Sequence, residues 1–332
     1  MPEDYATVRW GILGAGSIAK RFTEGANFLP DANVVAVGSR DQSKADQFAD
    51  AYDIPHRHGS YEALVGDPDV DVIYVATPHP FHKKHALLAL NAGKHVLCEK
   101  PVTINAGQLQ EMVDTARAKK RFLMEGHWSR CFPVMAKIRE ALKAGDIGEV
   151  RLVECDFGFR SGVNPEGRLF NPALGGGALL DVGCYTVSFA SMVLGAPDRV
   201  QGMATIGETG VDEQAGMLLG YPSGALAVLS TAVRTNTPHE AVINGTDGRI
   251  TVHSPWWKPE RATIVRSGGG KGTETIEIKN EGTGFNYEAA HVAECLRAGK
   301  TESDIMPLDE SLAIMRTLDT LRAQFGVKYP ME

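Results

Sequence analysis

Two short segments in the first hundred residues combine side chains and backbone in patterns that could do chemistry. Gly14-Ala15-Gly16-Ser17-Ile18-Ala19 follows an apolar run and opens an amphipathic stretch, in the pattern G-x-G-x-x-A. In such a setting the first glycine permits a tight turn and the second lets a pyrophosphate approach the backbone. The small last residue lets helix and strand pack closely, and the helix N-terminus faces the phosphates. Gly14, Gly16, Ser17 and Ile18 are therefore expected to hold a dinucleotide. Cys98-Glu99-Lys100-Pro101 ends another apolar run. Ligands of open α/β sheets bind outside the carboxyl ends of the strands, so Glu99 and Lys100 are expected beside the same site. Pro101 biases Lys100 toward an extended backbone. Taken alone, these four residues also fit an ordinary surface loop.

The end of the second apolar run distinguishes between cofactors. Sites for NAD place Asp or Glu about 20 residues beyond the glycines, on the ribose 2′-hydroxyl. Here the sequence reads Val37-Gly38-Ser39-Arg40-Asp41, with Ser39 at the acidic position. A hydroxyl and a guanidinium suit a 2′-phosphate. Ser39 and Arg40 thus point to NADP, with NAD as the alternative, and Asp41 fits a helix cap.

His79, His82 and His85 are spaced by three, which invites a metal reading, but no carboxylate or cysteine nearby completes a site. No metal is expected. Thr77, Pro78, His79 and His82 are instead expected on the nicotinamide side. His56 and His58 fall in a loop-like stretch and are expected to be solvated. Gly268-Gly269-Gly270 fits a hairpin loop, since no helix follows it.

The elements that must position these residues change character along the chain. From Val8 to about Gly126, the apolar runs VRWGILGAG, VVAVGSR, VIYVATP, HVLCEKP and RFLMEG alternate with helical patterns at Ser17–Leu29, Ser43–Tyr52, Tyr61–Val65, Phe81–Ala92 and Asn105–Lys119. This predicts a doubly wound α/β Rossmann domain with a parallel sheet buried on both faces. After Val150, strand-like runs follow one another without helices between them, and Asp247-Gly248 marks a tight turn. They predict an α+β domain with a mainly antiparallel open sheet. The expected division is residues 1–127 for the dinucleotide and 128–332 for substrate and dimerisation. Helical patterns at Tyr287–Ala298 and Leu308–Phe325 would cover that sheet or return to the first domain, and Leu312, Met315, Leu318 and Leu321 form a core-facing stripe.

The 332 residues carry 34 Lys+Arg against 41 Asp+Glu, a formal charge of −7 that disfavours nucleic acid or an anionic membrane as the main partner. Five scattered cysteines without a CxxC pair read as reduced thiols. No apolar run near the length of a membrane span stands out, and MPEDYATVRW lacks the regions of a secretory signal. A cytoplasmic protein acting on a small molecule is the expectation.

GILGAGSIA, VATPHPFHKKHALLALNAGKHVLCEKP and GGGALLDVGCY, in that order, resemble the Gfo/Idh/MocA family of NAD(P)-dependent oxidoreductases over essentially the whole chain. MEGHWSRCFP, ETGVDEQ and FNYEAAHVAECLRAGK carry a narrower likeness, to the branch of dimeric dihydrodiol dehydrogenases and NADP-dependent D-xylose dehydrogenases. The resemblance implies a second catalytic position. Most of the family has His where Tyr185 falls, and this branch has Tyr. Lys100 and Tyr185 would flank the substrate hydroxyl, supported by Asp181, which is four residues from Tyr185 and shares its face in a helix. Trp128, Phe157, Trp257 and Phe285 fall where the branch lines its pocket, and aromatic walls suit a sugar ring or cyclic diol.

Transfer of a hydride from an alcohol requires loss of the hydroxyl proton to a base. A phenol, with a reference pKa near 10, serves only if a neighbouring cation such as Lys100 favours its anion; alternatively Lys100 transfers the proton and Tyr185 orients it. The implied activity is oxidation of a sugar or cyclic trans-diol hydroxyl, or reduction of the carbonyl. Reduction of an oxidised sugar such as anhydrofructose is an alternative, and a non-catalytic NAD(P)-binding regulator is another, which retention of Lys100 and Tyr185 opposes. An open sheet also needs cover on one face, so a homodimer is expected.

Overall fold

A computed structural model describes residues 5–267 and 272–332, so the glycine run at 268–270 lies outside the described residues. The chain divides into two compact units, Met1–Trp128 with Glu281–Ser311 and Ser129–Asn280 with Leu312–Glu332.

The first unit begins with β1 (Val8–Leu13), α1 (Ser17–Ala26), β2 (Ala32–Gly38), α2 (Gln42–Tyr52), β3 (His56–His58), α3 (Tyr61–Val65), β4 (Val72–Val75), α4 (His82–Asn91), β5 (His95–Glu99), α5 (Ala106–Lys119) and β6 (Leu123–Gly126). Its strands lie in the order β3-β2-β1-β4-β5-β6, all parallel. β4 and β5 are buried along their whole length, as the uninterrupted apolar runs predict. The order reverses between β1 and β4, which opens a crevice at the carboxyl ends of those two strands. One strand departs from the sequence expectation. His56-Arg57-His58 forms the edge strand β3, and the two histidines are only partly exposed. Three polar residues carry no apolar signature, so nothing local announced them.

The second unit contains α6 (Pro133–Lys143), β7 (Val150–Gly158), α7 (Cys184–Leu194), β8 (Arg199–Ile206), β9 (Asp212–Gly220), β10 (Leu226–Ala232), β11 (Ala241–Gly245), β12 (Gly248–Val252), β13 (Arg261–Arg266) and β14 (Thr273–Glu277). The sheet order is β14-β13-β12-β11-β7-β10-β9-β8, antiparallel throughout except for the parallel pair β7–β10. Asp247-Gly248 does stand at the β11–β12 turn. The stretch 172–194 reaches a mean hydropathy of 1.5 over 18 residues, long and apolar enough to cross a membrane, contrary to the expectation that no such run exists. Within this window 83% is buried inside the protein, as befits the core helix of a globular unit.

Residues 281–311 were expected in the second domain, yet they pack with the first. Helix α8 (Phe285–Arg297) lies on α1, where a Cβ on Gly25 would come within 2.8 Å of the Asn286 backbone nitrogen. A hydrogen at that position is what allows so close a crossing. Helix α9 (Leu308–Phe325) runs on into the second unit, and Leu312, Met315, Leu318 and Leu321 are all buried as their spacing predicts. There Gln324 accepts from Gly202 N at 2.8 Å and donates to Val200 O at 2.9 Å, blunting the free edge of β8.

The chain enters α7 through a single π-helical turn, Leu179–Gly183. Asp212, at the start of β9 and fully buried, anchors this turn by accepting the Leu179 N–H at 2.6 Å. Burial pushes the Asp212 carboxyl up to about 7, against the opposing pull of Leu179 N–H and the Arg322 charge. An acid raised in the folded state contributes stability that is complete below its unfolded pKa and is lost as pH rises through the folded one. The wild-type Tm should therefore fall relative to that of Asp212→Asn as pH rises from about 4 to about 7, and run parallel to it above that. Tm-against-pH profiles that are parallel across the lower range as well would contradict this.

Candidate functional site

The glycine turn meets the requirements of a dinucleotide. Gly14 has φ +104°, and a Cβ there would sit 3.2 Å from Thr77 Cγ2 and 3.3 Å from Ala76 O, so the turn closes against the end of β4. A Cβ on Gly16 would meet nothing within 4 Å, which leaves open space over the first turn of α1. That helix starts at Ser17 with no side-chain cap and no acid in its first turn. Its leading N–H groups and dipole are thus offered to an anion, and Ser17 and Ile18 stand at this end. The pyrophosphate of a bound dinucleotide would rest here.

At the end of β2, Ser39 is buried and Arg40 is exposed, with its guanidinium near the Tyr61 hydroxyl. Asp41 is committed elsewhere. Its carboxylate caps α2, accepting from Ser43 N at 2.9 Å and Ser43 Oγ at 2.8 Å, and the Ser43 hydroxyl holds it below the usual carboxylate range. The one acid in Ser39-Arg40-Asp41 is therefore occupied by a helix end.

Lys100 sits in a turn that the surrounding unit holds from three sides, and its peptide bond to Pro101 is cis. The Tyr74 hydroxyl donates to Glu99 Oε1, while Glu99 Oε2 accepts from Lys100 N at 3.2 Å. Val102 N donates to Glu125 Oε1 at 3.1 Å, and Glu125 in turn lies 3.3 Å from His127. Burial alone would raise the Glu125 carboxyl, but the His127 charge and the donors around it outweigh that and lower it. His82 Nδ1 lies 2.8 Å from Pro101 O and its Nε2 2.5 Å from Thr77 O, so one imidazole sits between the turn after Lys100 and the turn after β4. Burial pushes the His82 pKa down, so the neutral ring donates to one of these carbonyls. His85 Nδ1 lies 2.9 Å from Thr77 Oγ1, and burial lowers its pKa to about 4. These rings brace Thr77 and Pro101. His79 is buried beside His82 at 5.8 Å between ring centroids, and Pro78 is exposed.

Within the second unit, Asp181 lies in the π-helical turn and pairs with Arg168 at 2.8 Å, and Tyr185 follows in the first turn of α7. The sequence predicted an unbroken α-helix here. Gly183 instead lets the turn widen and settle on β10, where a Cβ would be 3.3 Å from Thr231 Cγ2. Phe157 at the end of β7 stacks on Trp257 at 3.7 Å and lies 5.5 Å from the Tyr185 ring. His239 flanks both, 4.7 Å from Trp257 and 5.7 Å from Phe157. The four expected pocket aromatics thus fall into two pairs. Trp128 and Phe285 stack at 4.6 Å in the first unit, beneath the Arg21 guanidinium, and Phe157 and Trp257 stack in the second. Sequence reasoning missed Tyr74, Glu125, Arg168 and His239. Only Glu125 left a trace, as a charge inside the buried run LMEG.

Comparison with known proteins agrees with this geometry. Residues 8–127 match the model of the oxidoreductase family with an NAD-binding Rossmann fold, and residues 135–251 match the GFO/IDH/MocA C-terminal domain. Trans-1,2-dihydrobenzene-1,2-diol dehydrogenase of Mus musculus is 42% identical over 98% of this chain and 99% of its own. The Homo sapiens protein of that name is 39% identical over the same shares. Among solved structures, KijD10, a 3-ketoreductase from Actinomadura kijaniata in complex with NADP and TDP-benzene, superposes with a TM-score of 0.83 at 26% identity, covering 96% of this chain and 98% of that one. The aldose-aldose oxidoreductase from Caulobacter crescentus complexed with glycerol gives 0.85 at 25%, covering 96% and 97%. With an anion-ready glycine turn, a braced lysine after β5 and relatives alike over their whole length, the chain belongs to the Gfo/Idh/MocA family and is an NAD(P)-dependent oxidoreductase.

Proposed function

We propose that the protein uses NADP to oxidise a secondary or anomeric hydroxyl of a sugar or a cyclic trans-diol, or to reduce the corresponding carbonyl. The observation that carries the cofactor preference is the end of β2. Arg40 offers a guanidinium and Ser39 a hydroxyl, and the only adjacent acid, Asp41, is spent on the cap of α2. The substrate class is supported by the activities of the relatives and by the Phe157–Trp257 stack beside Tyr185, a flat apolar wall of the kind that receives a ring.

When bound, the nicotinamide supplies or takes up the hydride. Lys100 is assigned to hydrogen-bond the reacting oxygen and stabilise its developing negative charge. Tyr185 is assigned to exchange the hydroxyl proton, and Asp181, neutralised by Arg168, to orient the turn that carries it.

A second copy of the chain is proposed to cover the outer face of β8–β10. Met203 is 83% exposed, Leu218 44% and Val228 48%, an apolar surface on which Leu218 and Val228 are cross-strand neighbours. A self-complementary patch of this kind suits a two-fold dimer.

Three outcomes are expected. Arg40→Ala should raise KM for NADP about 10- to 100-fold, the worth of a charge-assisted phosphate contact, and leave KM for NAD nearly unchanged; equal changes would remove Arg40 from the phosphate. Tyr185→Phe should lower kcat on a responsive sugar or diol by about 10²- to 10⁴-fold while NADP still binds, and undiminished turnover would sink the proton-transfer role. Light scattering should return twice the chain mass for the wild type and a monomer for Leu218→Glu combined with Val228→Glu; a wild-type monomer would end the dimer proposal.

A further inference from the structure

Outside the residues assigned to the reaction, His56, His58 and Asp67 form a tight group on the first unit. As residues i and i+2 of the strand β3, the two histidines present their rings to the same side. His56 Nδ1 lies 2.7 Å and His58 Nε2 2.9 Å from the same oxygen, Asp67 Oδ2. One nitrogen from each ring and one carboxylate oxygen all lie within 4.8 Å of one another. Ligands around a tetrahedral zinc, at bond lengths of about 2.0–2.2 Å, stand about 3.3 Å apart, so the two nitrogen–oxygen separations need to lengthen by about half an ångström.

The group is held as metal ligands usually are. Asp67 Oδ1 accepts the Asp69 N–H at 2.9 Å, which fixes the plane of the carboxylate, and the Asp67 side chain is only 5% exposed. Lys94 donates to the carbonyls of Asp67 and Val70 at 2.6 and 2.7 Å, clamping the backbone of the turn. On the far side of the His56 ring, Nε2 faces the Asp69 carboxylate at 3.9 Å. Burial works against charge on Asp67, yet the Asp69 N–H and the two rings outweigh it and hold the carboxyl below its usual range. Both histidines keep one side open to water, which leaves an entry path and a fourth position for solvent.

We propose that His56 Nδ1, His58 Nε2 and Asp67 Oδ2 bind one divalent transition-metal ion of the zinc type, with water as the fourth ligand. Imidazole and carboxylate ligands favour such a cation over calcium or magnesium. The ion has no part in hydride transfer. It ties the three-residue edge strand to the turn after α3, and because His58 O accepts from Ser39 N at 3.0 Å, it braces the strand beside Ser39.

A second group among the described residues, His291, Cys295 and Asp304, is the natural competitor. It differs by a thiol, whose pKa burial raises to about 11. Untagged full-length protein, freed of metal with EDTA, is titrated with ZnCl2 by calorimetry and with CoCl2 by absorption. The expected result is one equivalent bound, cobalt ligand-field bands without a thiolate charge-transfer band, and a rise in Tm of about 3 °C or more at a hundredfold excess of zinc over Kd. His58→Gln should weaken binding about 10- to 100-fold, and Cys295→Ser should leave it unchanged. Absence of saturable binding, binding indifferent to His58→Gln, or a thiolate band that vanishes in Cys295→Ser each overturns the proposal. The cobalt spectrum of the wild type decides the matter by itself if the histidine variant does not fold.

Discussion

The two turns bearing the residues proposed to react are each held by a carboxyl group that water does not reach. In the first unit Glu125 receives the N–H of Val102, two residues beyond Lys100, and in the second Asp212 receives the N–H of Leu179, six residues before Tyr185. A buried carboxylate is expensive unless its charge is matched by donors, and a backbone N–H aimed at it fixes the direction of the chain as well as its position. Both anchors come from distant strands, β6 and β9, so the reactive turns inherit the rigidity of the sheets. A lysine or tyrosine on an unanchored loop would need to be ordered at every turnover, and that ordering would count against transition-state binding.

The histidines after β4 show how one residue type serves different ends under different burial. His82 is fully enclosed between two backbone carbonyls, and His85 is paired with Thr77. Burial drives their pKa values down, which disfavours positive charge on either ring. The i, i+3 spacing that resembles a metal motif in the sequence is thus a brace for two loops.

The dinucleotide half of the fold was legible because its signals are local. The G-x-G-x-x-A turn, the apolar runs and the Ser39-Arg40-Asp41 end of β2 depend on neighbours in the chain, and five of the six strands followed from them. The missed strand, His56–His58, gains its strand character only from pairing with β2. The site's supports were illegible for the same reason: Arg168 meets Asp181 across a loop, and Asp212 meets Leu179 across 33 residues. The π-helical turn was hidden because an i, i+4 pattern reads as α unless the packing of Gly183 against β10 is known. The aromatics were singled out through the family resemblance, but their division into Trp128–Phe285 and Phe157–Trp257 depends on the return of residues 281–311 to the first unit.

That return has a consequence for the birth of the protein on the ribosome. The dinucleotide unit is not finished when its six strands have emerged, because Trp128 still awaits Phe285, and the groove at Gly25 still awaits α8. About 180 more residues must be made first, roughly 10–40 s of synthesis. During that interval the face of α1 is uncovered, and the whole of the second sheet emerges meanwhile. A chain cut after residue 128 would keep the glycine turn and lose its cover. The nucleotide unit is therefore continuous in space and discontinuous in time.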